Sequence, residues 1–228
     1  SSLTTAQVAA LTTAQVSSLT TGQLNAMTTA QFAAFSLTQV GALRGQIAST
    51  ASNLPTKAWT KLFGFDLPGD LTSMTKGADG AIYVSGWTEG NLDGQVNSGG
   101  EDAFITKFLP DGTKSWTQLL GSDSGDGANS MTTGADGAIY VSGLTNGNLD
   151  GQTNSGYWDA SITKYLPHGT KSWTKLLGSD SYELQVGITA GADGAIYVSG
   201  STYGNLDGQT NSGNSDAFIA KYQPDGTK

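Results

Sequence analysis

The sequence predicts a mainly β protein made of three copies of one four-stranded unit, preceded by a segment of very short helices. Three observations predict it. From Lys57 onward one pattern recurs every 57 residues. The chain carries 32 glycines and no cysteine, a turn-rich composition without a disulfide frame. Residues 1–50 repeat instead every eight residues, with threonine and glutamine at fixed places.

The opening reads LTTAQVAA, LTTAQVSS, LTTGQLNA, MTTAQFAA and FSLTQVGA. One continuous helix fits poorly, because eight residues at ~100° each overshoot two turns by ~80° and spiral the apolar positions around the rod. Capping grammar fits better. Thr4 and Gln7 have the T-x-x-Q spacing of a capping box, and Leu3 and Val8 that of a hydrophobic staple. The pattern recurs at Thr12 and Gln15, Thr20 and Gln23, Thr28 and Gln31, and Ser36 and Gln39. Each octad is then one or two helical turns, restarted by the next cap and stacked on its neighbours like a small solenoid. Residues 1–55 hold one charged side chain, Arg44, so the segment carries no titratable chemistry and reads as a spacer, stalk or docking surface. It resembles the short L-T-x-x-Q-V repeats of large bacterial surface proteins. We take 1–50 as this segment, 51–56 as a linker and 57–228 as the three longer repeats.

Within those repeats Trp59, Trp116 and Trp173 stand 57 residues apart, as do Asp79, Asp136 and Asp193; Tyr83, Tyr140 and Tyr197; and Lys107, Lys164 and Lys221. In the second copy, strands are expected at 129–133, 138–143, 159–166 and 171–177. G-A-D-G at 134–137 supplies a D-G pair for a tight hairpin, and P-D-G-T at 110–113 has turn residues in turn order. A longer loop, NGNLDGQTNSG, separates the second strand from the third. Ile139 and Val141 alternate with Tyr140 and Ser142, as in a sheet between two layers. The tryptophans are expected in the core between adjacent units, and the lysines pointing outward from the third strand.

The chain enters at a lone fourth strand, 57–63, and ends on a unit that lacks its fourth strand. The two chain ends are therefore expected to complete one sheet. The third-copy motifs W-T-K-L-L-G, G-A-D-G-A-I-Y-V-S-G-S-T and D-A-F-I-A-K-Y-Q-P-D-G resemble the bacterial β-propeller repeat family labelled SBBP, over 57–228. That resemblance implies four-stranded propeller blades, in extracellular or envelope proteins without an established catalytic activity. Propellers hold ~4–8 blades, so three make a partial propeller. A second chain would complete it as a six-bladed ring, or further repeats would; alternatively the three units close as a β-trefoil or β-prism. Thr227 and Lys228 restart the repeat, so the sequence reads as a piece of something longer.

The net charge of −8 argues against nucleic acid or anionic membrane as partners. No apolar run approaches the ~18 residues of a membrane span. The single histidine, His168, occupies the turn position held by Asp111 and Asp225. Without cysteine or further histidine a nucleophile–base pair is hard to build, and no enzyme is expected. Acids that recur once per repeat, such as Asp79, Asp93 and Asp102, read as scaffold. The loop sets Asn91, Asp93 and Gln95; Asn148, Asp150 and Gln152; and Asn205, Asp207 and Gln209 alternate oxygen-bearing side chains beside glycine. Such loops offer calcium several oxygen ligands, or stiffen an exposed turn by bonding their own backbone. The copies differ at Trp87 and Glu89, at Tyr157 and Trp158, and at Tyr203. Loop aromatics beside a rigid sheet are candidates for ligand or partner contact.

The function expected is a non-catalytic structural or adhesive module of a bacterial surface or extracellular assembly, acting through protein–protein contacts or self-association. The alternative is a lectin-like domain that binds glycans, with calcium as an assisting ion.

Overall fold

The threonine–glutamine octads fold as their capping grammar requires in the computed structural model, which describes residues 3–43, 59–62 and 64–228. The chain divides into two units, Ser1–Ala58 and Trp59–Lys228. In the first, α1 (Thr5–Ala9), α2 (Thr13–Ser17), α3 (Thr21–Asn25) and α4 (Thr29–Ala33) start behind Thr4, Thr12, Thr20 and Thr28, each with a complete capping box. A further helical stretch covers 37–43, boxed by Ser36 and Gln39. Helices this short do not persist alone in water. Stacking holds them: Val8, Val16, Phe35 and Leu43 are buried together, flanked by Leu11, Leu19, Leu24 and Met27. In the later octads glutamine does two jobs. Gln39 Oε1 accepts the Ser36 N–H at 2.7 Å while its Nε2 donates to the Leu11 carbonyl at 2.6 Å. Gln31 likewise caps Thr28 and donates to the Leu3 carbonyl. Glutamate would cap equally well but has no proton to donate, so the amide ties each turn of the stack to an earlier one. Among the described residues no helix is long and apolar enough to cross a membrane.

In the second unit, eleven strands of the described residues form three antiparallel sheets. The first holds β1 (Gly69–Lys76), β2 (Ile82–Thr88), β3 (Asp102–Phe108) and β4 (Lys114–Leu120). The second holds β5 (Asp126–Thr133), β6 (Ile139–Thr145), β7 (Asp159–Tyr165) and β8 (Lys171–Leu177). The third has only β9 (Glu183–Ala190), β10 (Ile196–Thr202) and β11 (Asp216–Tyr222). In every sheet the strands lie in chain order. β5 begins earlier than the sequence suggests, because the Asp126 carboxylate accepts both the N–H and the hydroxyl of Ser122 at 2.6 Å and pairing continues past a bulge at 128–130. The D-G turn at 134–137 joins β5 to β6 as expected: the Gly134 N–H bonds the Ala138 carbonyl at 2.9 Å, the Gly137 N–H bonds the Gly134 carbonyl at 3.0 Å, and Gly137 takes the positive φ, 76°. A second Asp-Gly turn lies inside the longer loop: Asp93 and Gly94 have φ of 53° and 79°, between Leu92 and Gln95, whose backbones bond both ways at 3.1 and 2.9 Å. Positive φ at both central residues marks the type I′ turn, which favours Asp-Gly.

Each sheet is sandwiched face to face with the next. Ala103, Ile105 and Leu120 of the first meet Met131, Ile139 and Val141 of the second. Ile162 and Leu177 of the second meet Val186, Ile196 and Val198 of the third. The cores are two clusters in series, and no barrel closes among the described residues. The trefoil and prism alternatives require one core shared by three units, so this packing sets them aside. First strands run beside one another: the Thr72 hydroxyl bonds the Ala128 carbonyl at 2.6 Å, and Ser73 Oγ accepts the Met131 N–H at 3.1 Å.

The expected joining of the chain ends is corrected. Residues 59–62 are not strand, and β11 pairs only with β10 among the described residues. Positions 57, 58 and 63 of the expected strand, and the linker at 51–56, lie outside the described residues. A strand needs an edge to pair with, and the open edge belongs to the third sheet while segment 59–62 sits against the first. Both ends of the array stay open. Met74 on β1 is 67% exposed where its counterpart Met131 is 7%; Ile219 on β11 is 73% exposed where Ile105 is 1%.

Candidate functional site

The chemistry of the second unit concentrates where one sheet meets the next. Hairpin register places Tyr83, Lys107 and Trp116 in one row across β2, β3 and β4. All three point at one atom of the following sheet, the Pro167 carbonyl oxygen in the turn between β7 and β8. Lys107 Nζ reaches it at 2.8 Å, Trp116 Nε1 at 3.2 Å and the Tyr83 hydroxyl at 3.4 Å. Asp79 holds the lysine at 2.5 Å and accepts the Tyr83 hydroxyl at 3.1 Å. Burial pulls the Asp79 carboxyl up, but Lys107, the Ala81 N–H and Tyr83 outweigh it and hold the group below its usual value. Burial likewise pulls Lys107 down, and its contacts with Asp79 and Tyr83 hold it above the ordinary lysine value. The next boundary repeats the set: Lys164, Trp173 and Tyr140 converge on the Pro224 carbonyl at 2.8, 3.2 and 3.5 Å. The lysines at 107 and 164 therefore do not point outward. They are staples between sheets, Lys107 buried and Lys164 largely so, while Lys221, beyond which no sheet follows among the described residues, is half exposed.

A second contact uses the loops read as calcium candidates. The left-handed Asp93 aims its carboxylate at β4, where Lys114 and the Thr117 hydroxyl engage its two oxygens. Asp150 does the same with Lys171 and Thr174, both at 2.5 Å. Asp207 holds Lys228, and among the described residues no threonine stands beside it, because they give the third sheet no fourth strand. Asn91, Asn148 and Asn205 accept the N–H of Asn97, Asn154 and Asn211 at 2.9, 3.0 and 2.8 Å, closing each loop on itself. Gln95 and Gln152 are half buried and Gln209 exposed, each with its backbone in the hairpin. Among the described residues no three His, Cys, Asp or Glu side chains converge as a metal cage.

The variable aromatics fall into two groups. Trp87 is half buried at the end of β2, and Glu89 is exposed beside it, its N–H bonded to the Pro68 carbonyl at 2.8 Å. Trp158 is half buried, its ring over Gly125. Tyr157 and Tyr203 are brought together by a residue the sequence did not single out, Tyr182. Tyr157 stacks on Tyr182 at 4.7 Å and 6°, and Tyr203 meets Tyr182 edge-on at 6.4 Å. All three are exposed, on the boundary between the second and third sheets.

At each boundary two carboxyl groups are also fully buried: Asp102 with Asp126, and Asp159 with Glu183. The Ser98 N–H bonds one oxygen of Asp102 at 2.9 Å, and Ser155 does the same for Asp159. Among the described residues Oδ1 of Asp102, Asp126 and Asp159 has no hydrogen-bond partner. Burial first, then the facing carboxylate, pushes Asp102 and Asp159 above the usual aspartate value. Gly121 makes this possible, since a Cβ there would stand 2.0 Å from Asp102 Oδ1. His168 is exposed in its turn.

Residues 1–29 match the family described as the ALTTAQ repeat. The chain is also similar to the regulatory protein FlaEY of Caulobacter vibrioides, 28% identical over 186 residues, which cover 73% of this chain and 20% of that protein. It thus spans about a fifth of the length of the curated relative it matches.

The staple was legible in principle. Tyr, Lys and Trp recur with one period, and antiparallel register puts residues directly opposite one another on the same face. Once the tryptophan is assigned to the core, its row neighbour Lys107 follows it there. The buried carboxyls carry no such signal, because a strand-initial aspartate looks the same whether it faces water or another acid.

Proposed function

We propose that this chain is a non-catalytic structural module of a bacterial surface or extracellular assembly, whose propeller-type blades stack on further copies of the same repeat. The observation that carries this reading is the pair of open end faces. Ile219 lies bare at the position where Ile105 and Ile162 are buried, and Met74 where Met131 is buried and Ile188 partly buried, so each end presents one half of a contact the molecule already makes twice. Face-to-face sheets with adjacent first strands support blades around an axis, and the SBBP resemblance supports the same arrangement. The uncharged octad stack serves as stalk or connector. Titratable groups support scaffold over catalysis: the facing carboxyls are closed to solvent, and the lysines are consumed in staples. The aspartate loops act as hairpin clasps on the fourth strand in this reading, with no part for calcium. The mass of the 228-residue chain in solution tests it. Sedimentation is expected to give species heavier than 23.4 kDa that grow with concentration. A constant 23.4 kDa up to about 100 μM would overturn self-stacking.

The tyrosine cluster favours one second reading, a lectin-like site. Stacked and edge-on rings beside polar loops offer a platform for the apolar face of a neutral sugar. On a glycan array the wild type should then bind and Tyr182→Ala should lose at least tenfold in affinity; a blank array for the wild type removes this reading.

A further inference from the structure

The two ends of the β array hold complementary halves of the repeated staple. At the first sheet, Trp59 Nε1 donates to the Pro110 carbonyl at 3.0 Å, as Trp116 does to Pro167 and Trp173 to Pro224. Trp59 thus occupies the place of a fourth-strand tryptophan belonging to a sheet in front of the first. The Pro110 carbonyl there has its tryptophan, but the described residues give it neither the lysine nor the tyrosine that Pro167 and Pro224 receive. At the third sheet the position is reversed. Tyr197 and Lys221 are assembled on Asp193, each at 2.8 Å, but among the described residues neither a proline carbonyl nor a tryptophan meets them.

We propose that segment 59–62 of a second copy of this chain adds to β11 as the fourth strand of the third sheet, with Trp59 opposite Lys221, Thr60 opposite Ala220 and Lys61 opposite Ile219. This rests on the stacking reading and gives it a register. The register is copied from the molecule's own β3–β4 and β7–β8 pairs, where Lys107 faces Trp116, Thr106 faces Thr117 and Ile105 faces Gln118. The motif is the same: W-T-K-L at 59–62 against W-T-Q-L in β4 and W-T-K-L in β8. Each consequence restores something the internal sheets possess. Thr60 supplies Asp207 with the hydroxyl that Thr117 and Thr174 give Asp93 and Asp150. Lys228 already fills the lysine position in front of it. Lys221 and Tyr197 come within reach of the Pro110 carbonyl, because Trp59 is already bound there. An open groove of about 620 Å³, lined by Leu177, Leu206, Asp207, Phe218, Ile219 and Lys228, lies where the strand and the sheet behind it would sit. The same step brings the bare Ile219 face against Met74. Strand addition at an open edge contributes backbone hydrogen bonds, and the side-chain row sets specificity. The contact is head-to-tail, so it closes into a ring if the rotation allows and otherwise propagates.

The chain has no cysteine, which makes disulfide trapping clean. Ala220→Cys is mixed with Thr60→Cys; each protein carries one thiol, so the mixed disulfide is necessarily between chains. The pair is chosen because the hydroxyls of Thr106 and Thr117 meet at 3.0 Å, and those of Thr163 and Thr174 at 3.2 Å. The expected result is a reducible dimer band from this mixture, and at least tenfold less from Ala220→Cys mixed with the out-of-register Lys61→Cys. Unchanged circular dichroism and melting of the single variants keep the comparison valid. A second measurement needs no thiol: Lys221→Ala is expected to weaken self-association about tenfold. If the wild type self-associates but neither result appears, the strand register is wrong and stacking stands. A strictly monomeric wild type removes both. A double variant that forms only an intrachain disulfide overturns the second copy as occupant.

Discussion

Lys107→Ala is expected to cost about 2–3 kcal/mol of unfolding free energy, and Lys221→Ala much less, when both are measured by urea unfolding at low protein concentration. The two lysines hold the same place in the repeat, each pairs with an aspartate at 2.5–2.8 Å, and each lies over a tyrosine ring at 5.5–5.6 Å. They differ in having a sheet beyond them. Lys107 is 11% exposed and satisfies the Pro167 carbonyl across the boundary; its removal strands that carbonyl and leaves Asp79 without its counter-ion. Asp79 is one-third exposed, so water recovers part of the loss, and the figure is set below that of a fully buried pair. Lys221 is 48% exposed and holds only an exposed aspartate, a pair of the kind that contributes little. In a stack where each unit touches only its neighbours, the Lys107 loss falls on one boundary, and the unfolding curve should also broaden. Equal losses from the two variants would mean that the staple works within its own sheet, and that sheet-to-sheet bonding is not what the lysine is for.

What the sequence made legible is what local rules decide. The capping boxes at Thr4, Thr12, Thr20, Thr28 and Ser36 involve residues three apart, and the strand and turn pattern of each 57-residue unit follows from residues within one hairpin. The errors all concern contacts between residues far apart in the chain. Lys107 was expected to face outward because lysine usually does, although its row neighbour Trp116 had been placed in the core. The lone strand was expected to join the last sheet because the count of strands left one over. Counting says which edge lacks a partner, but not whether segment 59–62 can reach it past the sheets between. Asp93 attracted attention as a metal ligand because its loop alternates oxygens. Its partners Lys114 and Thr117 arrive from a strand about twenty residues later and are invisible to a local reading. Tyr182 meets Tyr203 by continuing the β9–β10 register past Glu183 and Thr202, and meets Tyr157 only where the second and third sheets stack.

Burial of Asp102 and Asp159 makes part of the stability fall as pH rises. Asp102 and Asp159 have raised values in the folded state, so the stability tied to their neutral form is fully present below the ordinary aspartate value of about 3.9 and is lost as pH rises through the raised one. Asp79, Asp93 and Asp136 are held low, so their contribution is present above about 3.9 and disappears only as pH falls below it. Acidification below about 3.9 removes the second contribution and a rise in pH above it erodes the first, so the melting midpoint should pass through a maximum and fall on its alkaline side. Asp102→Asn isolates the cause. Its amide oxygen can still accept the Ser98 N–H, while the charge facing Asp126 is gone. The variant is expected to gain on the order of 1 kcal/mol at pH 8, a midpoint rise of about 2–4 °C, and to flatten the slope between pH 5 and pH 8. Asp93→Asn, which removes a carboxylate that Lys114 and Thr117 already satisfy, should move the other way and lose stability at both pH values. A wild-type midpoint that climbs steadily from pH 5 to pH 8 would show that the facing carboxyls ionise without penalty.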